Sequence, residues 1–477
     1  MQNLGEIVSK VSSFLWGWPM IILLLGTHIF LTIRLRFPQK SIFKAIGISF
    51  KKDKGASGDV SQFGALTTSL AATIGTGNII GVATAISLGG PGAVLWCWLT
   101  GLLGIATKYS EGLLAIKYRV KTEKGTMLGG PMYALERGVK SKFLAVLFCV
   151  FAALAAFGIG DTVQSNAIST LLDQEGLFGA GFQGIPKYIT GLVLAFLVTL
   201  VTFFGIKGIA KVCTFLVPFM AIFYVLGCFI ILAMNWDVLG QTISLIVNSA
   251  FSAKAGLGGL AGTTIMMTCR YGIARGLFSN ESGMGSAPIA AAAAQTKNPV
   301  RQALVSSTGT FWDTVVVCAL TGIVVVSSII SNPNIDYHDG AKLTQLAFGQ
   351  IPYVGSIVLT FSLVTFAFST ILGWSYYGER SIEYLAGRRT VFLYRIAWIV
   401  LVYVGAVANL AIVWDFADIL NALMVIPNVI SLLVLSGVIV AETRKYLWSK
   451  QLDMASNEEI PTIHGSRSKD AEMTEIV

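Results

Sequence analysis

The stretch Thr67 to Gly92, TTSLAATIGTGNIIGVATAISLGGPG, decides how the chain folds. Its length and apolarity suit a bilayer span, which needs about 20 residues. Its centre, Gly75-Thr76-Gly77-Asn78, suits a helix badly. Gly is a poor helix former, and Thr and Asn compete for backbone hydrogen bonds. Backbone that leaves the helix at membrane depth persists only where protein or a cavity surrounds it. The stretch therefore predicts a discontinuous helix, broken near the bilayer midplane.

The rest of the 477 residues agree with a membrane setting: 54% are hydrophobic and 12% charged, with a mean hydropathy of +0.72. Soluble domains carry roughly 25% charged residues. The formal charge of +9 is not a nucleic-acid footprint, because the Lys and Arg fall in particular loops. The six Cys (97, 149, 213, 228, 269 and 318) lie in apolar segments without a CxxC pair, and read as small buried hydrophobes. His28, His338 and His464 are scattered, which leaves a His-based metal site little support.

Eleven apolar segments can be marked, at roughly 13–33, 64–88, 91–116, 142–170, 187–205, 209–234, 258–294, 302–331, 353–378, 391–410 and 416–441. The first lacks a basic start and a cleavage site, and reads as a retained helix with Trp16 and Trp18 at the interface. With the N-terminus outside, the inner loops 34–63, 117–142, 206–211, 295–301 and 379–395 hold 22 Lys or Arg. The outer side holds only Lys10, Lys187, Lys254 and Lys342. This alternation predicts a multi-pass protein of the cell membrane, N-terminus outside and C-terminus cytoplasmic. The tail 442–477 is polar and expected to be disordered. The stretch 237–257 is too polar for a span, and reads as an outer amphipathic helix or the lead-in to segment seven.

A second interruption appears at Gly276 to Gly285, GLFSNESGMG, where segment seven should cross the midplane. With segment one set aside as an extra helix, the breaks open two sets of five segments, 64–234 and 258–441. Five is odd, so the second set is inverted relative to the first. The expected fold class is all-α and polytopic: 11 transmembrane helices forming one domain over 1–441, an extra first helix (13–33) followed by a 5+5 inverted repeat. Interrupted helices at matching places in inverted halves point to a substrate site at the midplane.

Four places offer chemistry. At Gly75 to Asn78 freed carbonyls suit a cation, and the amides that follow suit a carboxylate; the plainer reading is close helix packing. At Phe278-Ser279-Asn280-Glu281 the break offers carbonyls and the Asn280 amide, or Glu281 is simply neutralised by Arg275. Arg270 and Arg275 lie deep for charged residues, lining or gating a vestibule. In segment four, Asp161 and Gln164 share a face, either at a ligand or as glue between helices. In segment nine, Thr365, Ser369 and Thr370 offer oxygens to a hard cation, or bond their own helix, and Trp374 offers a cap to a pocket.

Together these residues resemble the alanine or glycine:cation symporter family, also called the sodium:alanine symporters. Gly89 to Trp98 (GGPGAVLWCW) is similar to the family signature, with Leu95 for the usual Phe and Cys97 for the usual Met. Ala72 to Ala83, Arg275 to Pro288 (with Ser282 for the usual Ala) and Gly373 to Glu379 (GWSYYGE) resemble its two broken helices and late motif. The resemblance runs over most of 13–445.

It implies a leucine-transporter type fold and symport of Na+ with a small neutral amino acid such as alanine or glycine. It places Thr73, Thr76, Gly77, Gln164, Phe278, Asn280, Trp374 and Gly378 around the substrate. It places Na+ between carbonyls around Ala72 and Gly75 and hydroxyls among Thr365, Ser369 and Thr370. The partners implied are Na+, the amino acid and the lipid bilayer, with no nucleic acid. A close rival is the same fold driven by protons on Asp161 or Glu281. Channel and enzyme readings are disfavoured: two inverted breaks argue against a pore, and the intramembrane His28 sits in the extra helix. The chain is therefore expected not to be an enzyme.

Overall fold

Where water is absent, a segment must satisfy its own backbone, and helices result. The computed structural model describes residues 2–463 apart from 52, 54, 180, 253–264, 333, 336–338, 353 and 409–410. The expected start of segment seven at 258–264, Lys254, His338, His464 and the tail beyond 463 lie outside the described residues. Among those described, seven helices are long and apolar enough to cross a membrane, or eight if one bent pair counts as a single span.

That bent pair is the opening stretch. Helix α1 (Trp18–Arg34) precedes it. Helix α2 (Gln62–Thr73) ends at Ile74, whose ψ of 95° is extended, and α3 (Gly77–Gly89) leaves at 54° to it. Asn78 Oδ1 accepts from the Gly75 amide over 2.9 Å, so the amide competition read from the sequence is what closes the break. Helix α4 (Ala93–Lys117) follows, then α5 (Lys142–Leu172), which widens to a π-helical turn at Ala156–Thr162. Such a turn leaves carbonyls out of the regular ladder and often marks a functional site.

Helices α6 (Lys187–Thr202) and α7 (Gly205–Met234) expose Phe196, Phe215, Phe219 and Ile222, an apolar outer face suited to lipid. Helix α8 (Leu239–Phe251) turns Ile243, Val247 and Phe251 outward, which favours the amphipathic-helix reading of this stretch. Helix α9 (Ile265–Asn280) runs five residues into the stretch expected to be broken, Gly276 to Gly285. The interruption is Glu281 to Ser286, and α10 (Ala287–Ala291) resumes for five residues. Glu281, Gly283 and Gly285 take positive φ values of 53°, 90° and 85°. The helix stops where Glu281 turns left-handed, and Gly283 and Gly285 then adopt that region without strain as the loop continues.

Helix α11 (Pro299–Ser331) also contains a π-helical turn, at Phe311–Cys318. Then come α12 (Gly340–Phe348), α13 (Gly355–Ala386), α14 (Thr390–Val407), α15 (Ala411–Val434) and α16 (Ser436–Thr443). Strands β1 (Val60–Ser61) and β4 (Ala294–Gln295) pair in parallel. They tie the start of the first broken helix to the end of the second.

The stretch 442–463, expected to be disordered, is ordered. Lys117 Nζ meets Glu442 at 2.6 Å, and Arg301 meets Asp453 at 2.6 Å. Asn298 Nδ2 donates to the carbonyls of Leu452 and Met454. Strand β2 (Val120–Thr122) pairs with β3 (Met127–Leu128) on one edge and takes β5 (Thr462–Ile463) in parallel on the other. A composition poor in aromatics predicts no core, and it is blind to a tail that docks by polar contacts onto an existing body.

Candidate functional site

The two breaks and helices α5 and α13 converge. A Cβ on Gly75 would stand 2.6 Å from Thr370 Oγ1 and 3.6 Å from Gln164 Oε1. A Cβ on Gly160 would collide with Trp374, and one on Gly373 would stand 2.7 Å from the Ala72 backbone. Glycine at these points lets three helices approach the break. Between them lies a buried cavity lined by Thr73, Thr76, Gly77, Gln164, Phe278 and Trp374, and by Ala72, Gly75 and Thr370. Ile159, Ser279, Glu281 and Asn421 complete the wall. The space open to water centres is about 20 Å³, close to the room for one water.

The wall is polar in a directed way. Gln164 Nε2 donates to the Ile159 carbonyl, freed by the π-helical turn, over 3.0 Å. Its Oε1 is buried without a partner among the described residues. Trp374 Nε1 donates to Glu281 Oε1 over 3.0 Å, and Ser286 Oγ to Glu281 Oε2 over 2.5 Å. The amides of Thr76 and Gly77 open α3, where helix geometry provides no partner for them. Trp16, in the turn just before α1, meets the Phe278 ring edge-on at 6.1 Å.

On the α13 side of the break, Ser369 Oγ lies 3.2 Å from the Ala71 carbonyl and 2.8 Å from that of Phe366. Thr370 Oγ1 lies 3.4 Å from the Ile74 carbonyl and 3.0 Å from that of Phe366. The hydroxyls thus face carbonyls one residue before Ala72 and Gly75. Thr365 is not brought here: its hydroxyl bonds Phe361 and Ser362 in its own helix.

Two residues named for the substrate stand back from the cavity. Asn280 is buried behind the loop, its Oδ1 taking the Ser282 amide over 2.9 Å. Gly378 lies one turn beyond Trp374, against the Tyr394 hydroxyl. The Glu281 carboxylate takes its hydrogen bonds from Trp374 and Ser286 rather than pairing with Arg275. Arg270 lies at the rim, 3.2 Å from the Ser13 carbonyl. Asp161 is fully buried, and neither carboxylate oxygen has a partner among the described residues.

Sequence reading missed Asp313. It sits in the π-helical turn of α11, accepting from Asn78 Nδ2 at 2.7 Å and Ser279 Oγ at 2.9 Å. A carboxylate inside an apolar segment was the signal available.

Broken helices around a buried cavity are the architecture of a membrane transporter. The profile of the sodium:alanine symporter family matches residues 1–460, and the chain belongs to that family. The sodium/alanine symporter AgcS of Methanococcus maripaludis is 50% identical over 449 residues, 92% of this chain and 97% of that protein. An uncharacterized transporter of Haemophilus influenzae is 50% identical over 463 residues, 96% and 99% of the two chains. The crystal structure of MhsT in complex with L-phenylalanine superposes with a TM-score of 0.58 at 14% identity. It covers 83% of this chain and 96% of that one, and shares the leucine-transporter fold.

Proposed function

We propose that the protein takes up alanine, glycine or a similar small neutral amino acid together with Na+, down the Na+ gradient across the cell membrane. One observation carries the reading. At the first break the Ala71, Ile74 and Phe366 carbonyls and the Ser369 and Thr370 hydroxyls face one another, beside the cavity. A hard cation wants such an oxygen shell. Na+ seated there holds the break in shape, and the amino acid binds next to it. By linkage each ligand helps the other.

The substrate carboxylate is assigned to the amides of Thr76 and Gly77, and its ammonium to Gln164 Oε1. Thr73, Phe278 and Trp374 enclose the side chain, with Asn280 and Gly378 supporting the wall from behind. The chain is read as eleven spans, an extra helix and then two inverted sets of five, with the N-terminus outside and the C-terminus in the cytoplasm. Access alternates as one set of helices rocks against the other around the cavity.

In proteoliposomes, an inward Na+ gradient should drive accumulation of labelled alanine, and K+ should not replace it. Unlabelled glycine and alanine should compete well and glutamine poorly. Equal accumulation with K+, and no amino acid responding to Na+, would end the reading.

A proton-driven version is favoured by one fact: Asp161 is buried with both oxygens unpartnered. A proton on it would lower the cost of that burial. Uptake driven by acid in the absence of Na+, lost in Asp161→Asn, would select that version.

A further inference from the structure

Lys108 and Glu111 stand three residues apart on α4, both 2% exposed. Neither touches the cavity. Ionised side chains at membrane depth are costly and persist where they have a task. Here both reach the second break, from the same face of the same helix.

Lys108 Nζ donates to the carbonyl of Asn280, the last residue of α9, over 2.9 Å. A helix of 16 residues ends in unpaired carbonyls with partial negative charge, and a buried ammonium offsets both. Glu111 Oε1 accepts from the amides of Gly283 at 3.1 Å and Gly285 at 2.9 Å. These are the two left-handed glycines of the loop, whose amides have left the helix ladder. Asn428 of α15 joins them, donating to Glu111 Oε1 at 2.8 Å and to the Gly283 carbonyl at 2.9 Å. The ammonium therefore holds the entry to the loop, and the carboxylate its middle. Glu281, which binds Trp374 at the cavity wall, lies between the two anchor points.

We propose that Lys108 and Glu111 are positioning residues for transport, a split charge pair on α4 that fixes the loop 281–286 and so aims Glu281 and Trp374 at the cavity. The functional part rests on the reading of the cavity as a substrate site; the structural part does not. A loop held this way moves with α4 as one body, so the break keeps its shape while access alternates.

The test uses the full-length protein, purified and reconstituted, as wild type, Lys108→Met, Lys108→Arg and Glu111→Gln. Hydrogen–deuterium exchange is followed on peptides spanning 278–290 and on peptides of α7 as an internal standard. Exchange across 281–286 should rise about tenfold or more in Lys108→Met and Glu111→Gln, while α7 stays as in wild type. The alanine KM should rise about tenfold, with the Na+ half-saturation changing much less, because a misaimed wall costs binding geometry without touching the cation oxygens. Lys108→Arg keeps a donor and a charge and should recover most of the loss.

Wild-type exchange in the loop of both variants overturns the proposal, as does equal weakening of Na+ and alanine with the loop unchanged. Should Lys108→Met fail to fold, the nearly isosteric Glu111→Gln decides. A wild type that shows no Na+-driven uptake sinks the functional reading alone, and the exchange data still judge the clamp.

Discussion

Ser369 Oγ lies 3.2 Å from the Ala71 carbonyl, which is the closest tie between α13 and the first break. Thr370 makes the neighbouring approach to Ile74 at 3.4 Å. Ser369→Ala and Thr370→Val should each raise the Na+ half-saturation of uptake about tenfold, the scale of one lost charge-assisted oxygen contact. Thr365→Val should leave it unchanged, since that hydroxyl bonds its own helix. A Na+ titration of alanine uptake in proteoliposomes reads all three. Equal effects at 365 and 369 would move the cation elsewhere.

Gly75 and Gly77 are two residues apart but differ in what surrounds them. A Cβ at Gly77 would meet Phe278 at 3.5 Å, an ordinary contact, so Gly77→Ala should fold normally. It should still crowd the amides assigned to the carboxylate, and weaken alanine binding more than Na+ binding. A Cβ at Gly75 would press on Thr370 Oγ1 at 2.6 Å. Gly75→Ala should therefore weaken Na+ binding as well. Binding measured for each ligand separately checks this; equal loss of both in Gly77→Ala would make the break only a structural kink.

Trp374 and Trp398 are both 1% exposed, yet only the first has a partner for its Nε1 among the described residues. Trp374→Phe leaves Glu281 Oε1 without its donor, which should cost about 1–3 kcal/mol. Trp398→Phe shares the loss of ring volume without that cost. Thermal unfolding in detergent should rank Trp374→Phe as the less stable variant.

Arg301 binds two carboxylates. Asp53 meets its Nε at 2.9 Å with a side chain 3% exposed, while Asp453 is 90% exposed. Removing one partner of a buried pair costs about 3–5 kcal/mol, so Asp53→Ala should destabilise strongly. Asp453→Ala should change little, because an exposed partner is screened by water. Denaturation midpoints of the two variants check the contrast.

Much of the site was legible because breaks in membrane helices have a local cause. Ile74, Gly75 and Thr76 leave the helix and Gly77 and Asn78 open the next one, while the left-handed Gly283 and Gly285 lie in the loop that separates the other pair. Gln164, read from the face it shares with Asp161, and Phe278 and Trp374, read from the second break and segment nine, all line the cavity. The ends were less legible. Helix α9 continues to Asn280 because its polar residues find partners across the bundle, Ser279 on Asp313 and the Asn280 carbonyl on Lys108.

Hydrophobic runs and the spacing of Lys and Arg are properties of the chain itself, so the membrane setting and the two interruptions can be read without coordinates. Which groups meet across those interruptions depends on helices distant in sequence. The hydroxyls of Ser369 and Thr370 face Ala71 and Ile74 rather than Ala72 and Gly75, and Thr365 turns away. The tail beyond Glu442 is polar by composition, yet docks on Lys117, Asn298 and Arg301. Lys108, Glu111 and Asp313 are charged residues in apolar segments that the sequence reading passed over, and only packing shows that two of them meet one break and the third touches both. A periodic pattern reports which face of a helix is buried; the partner on that face is chosen by the rotation and depth of its neighbours, which tertiary structure alone decides.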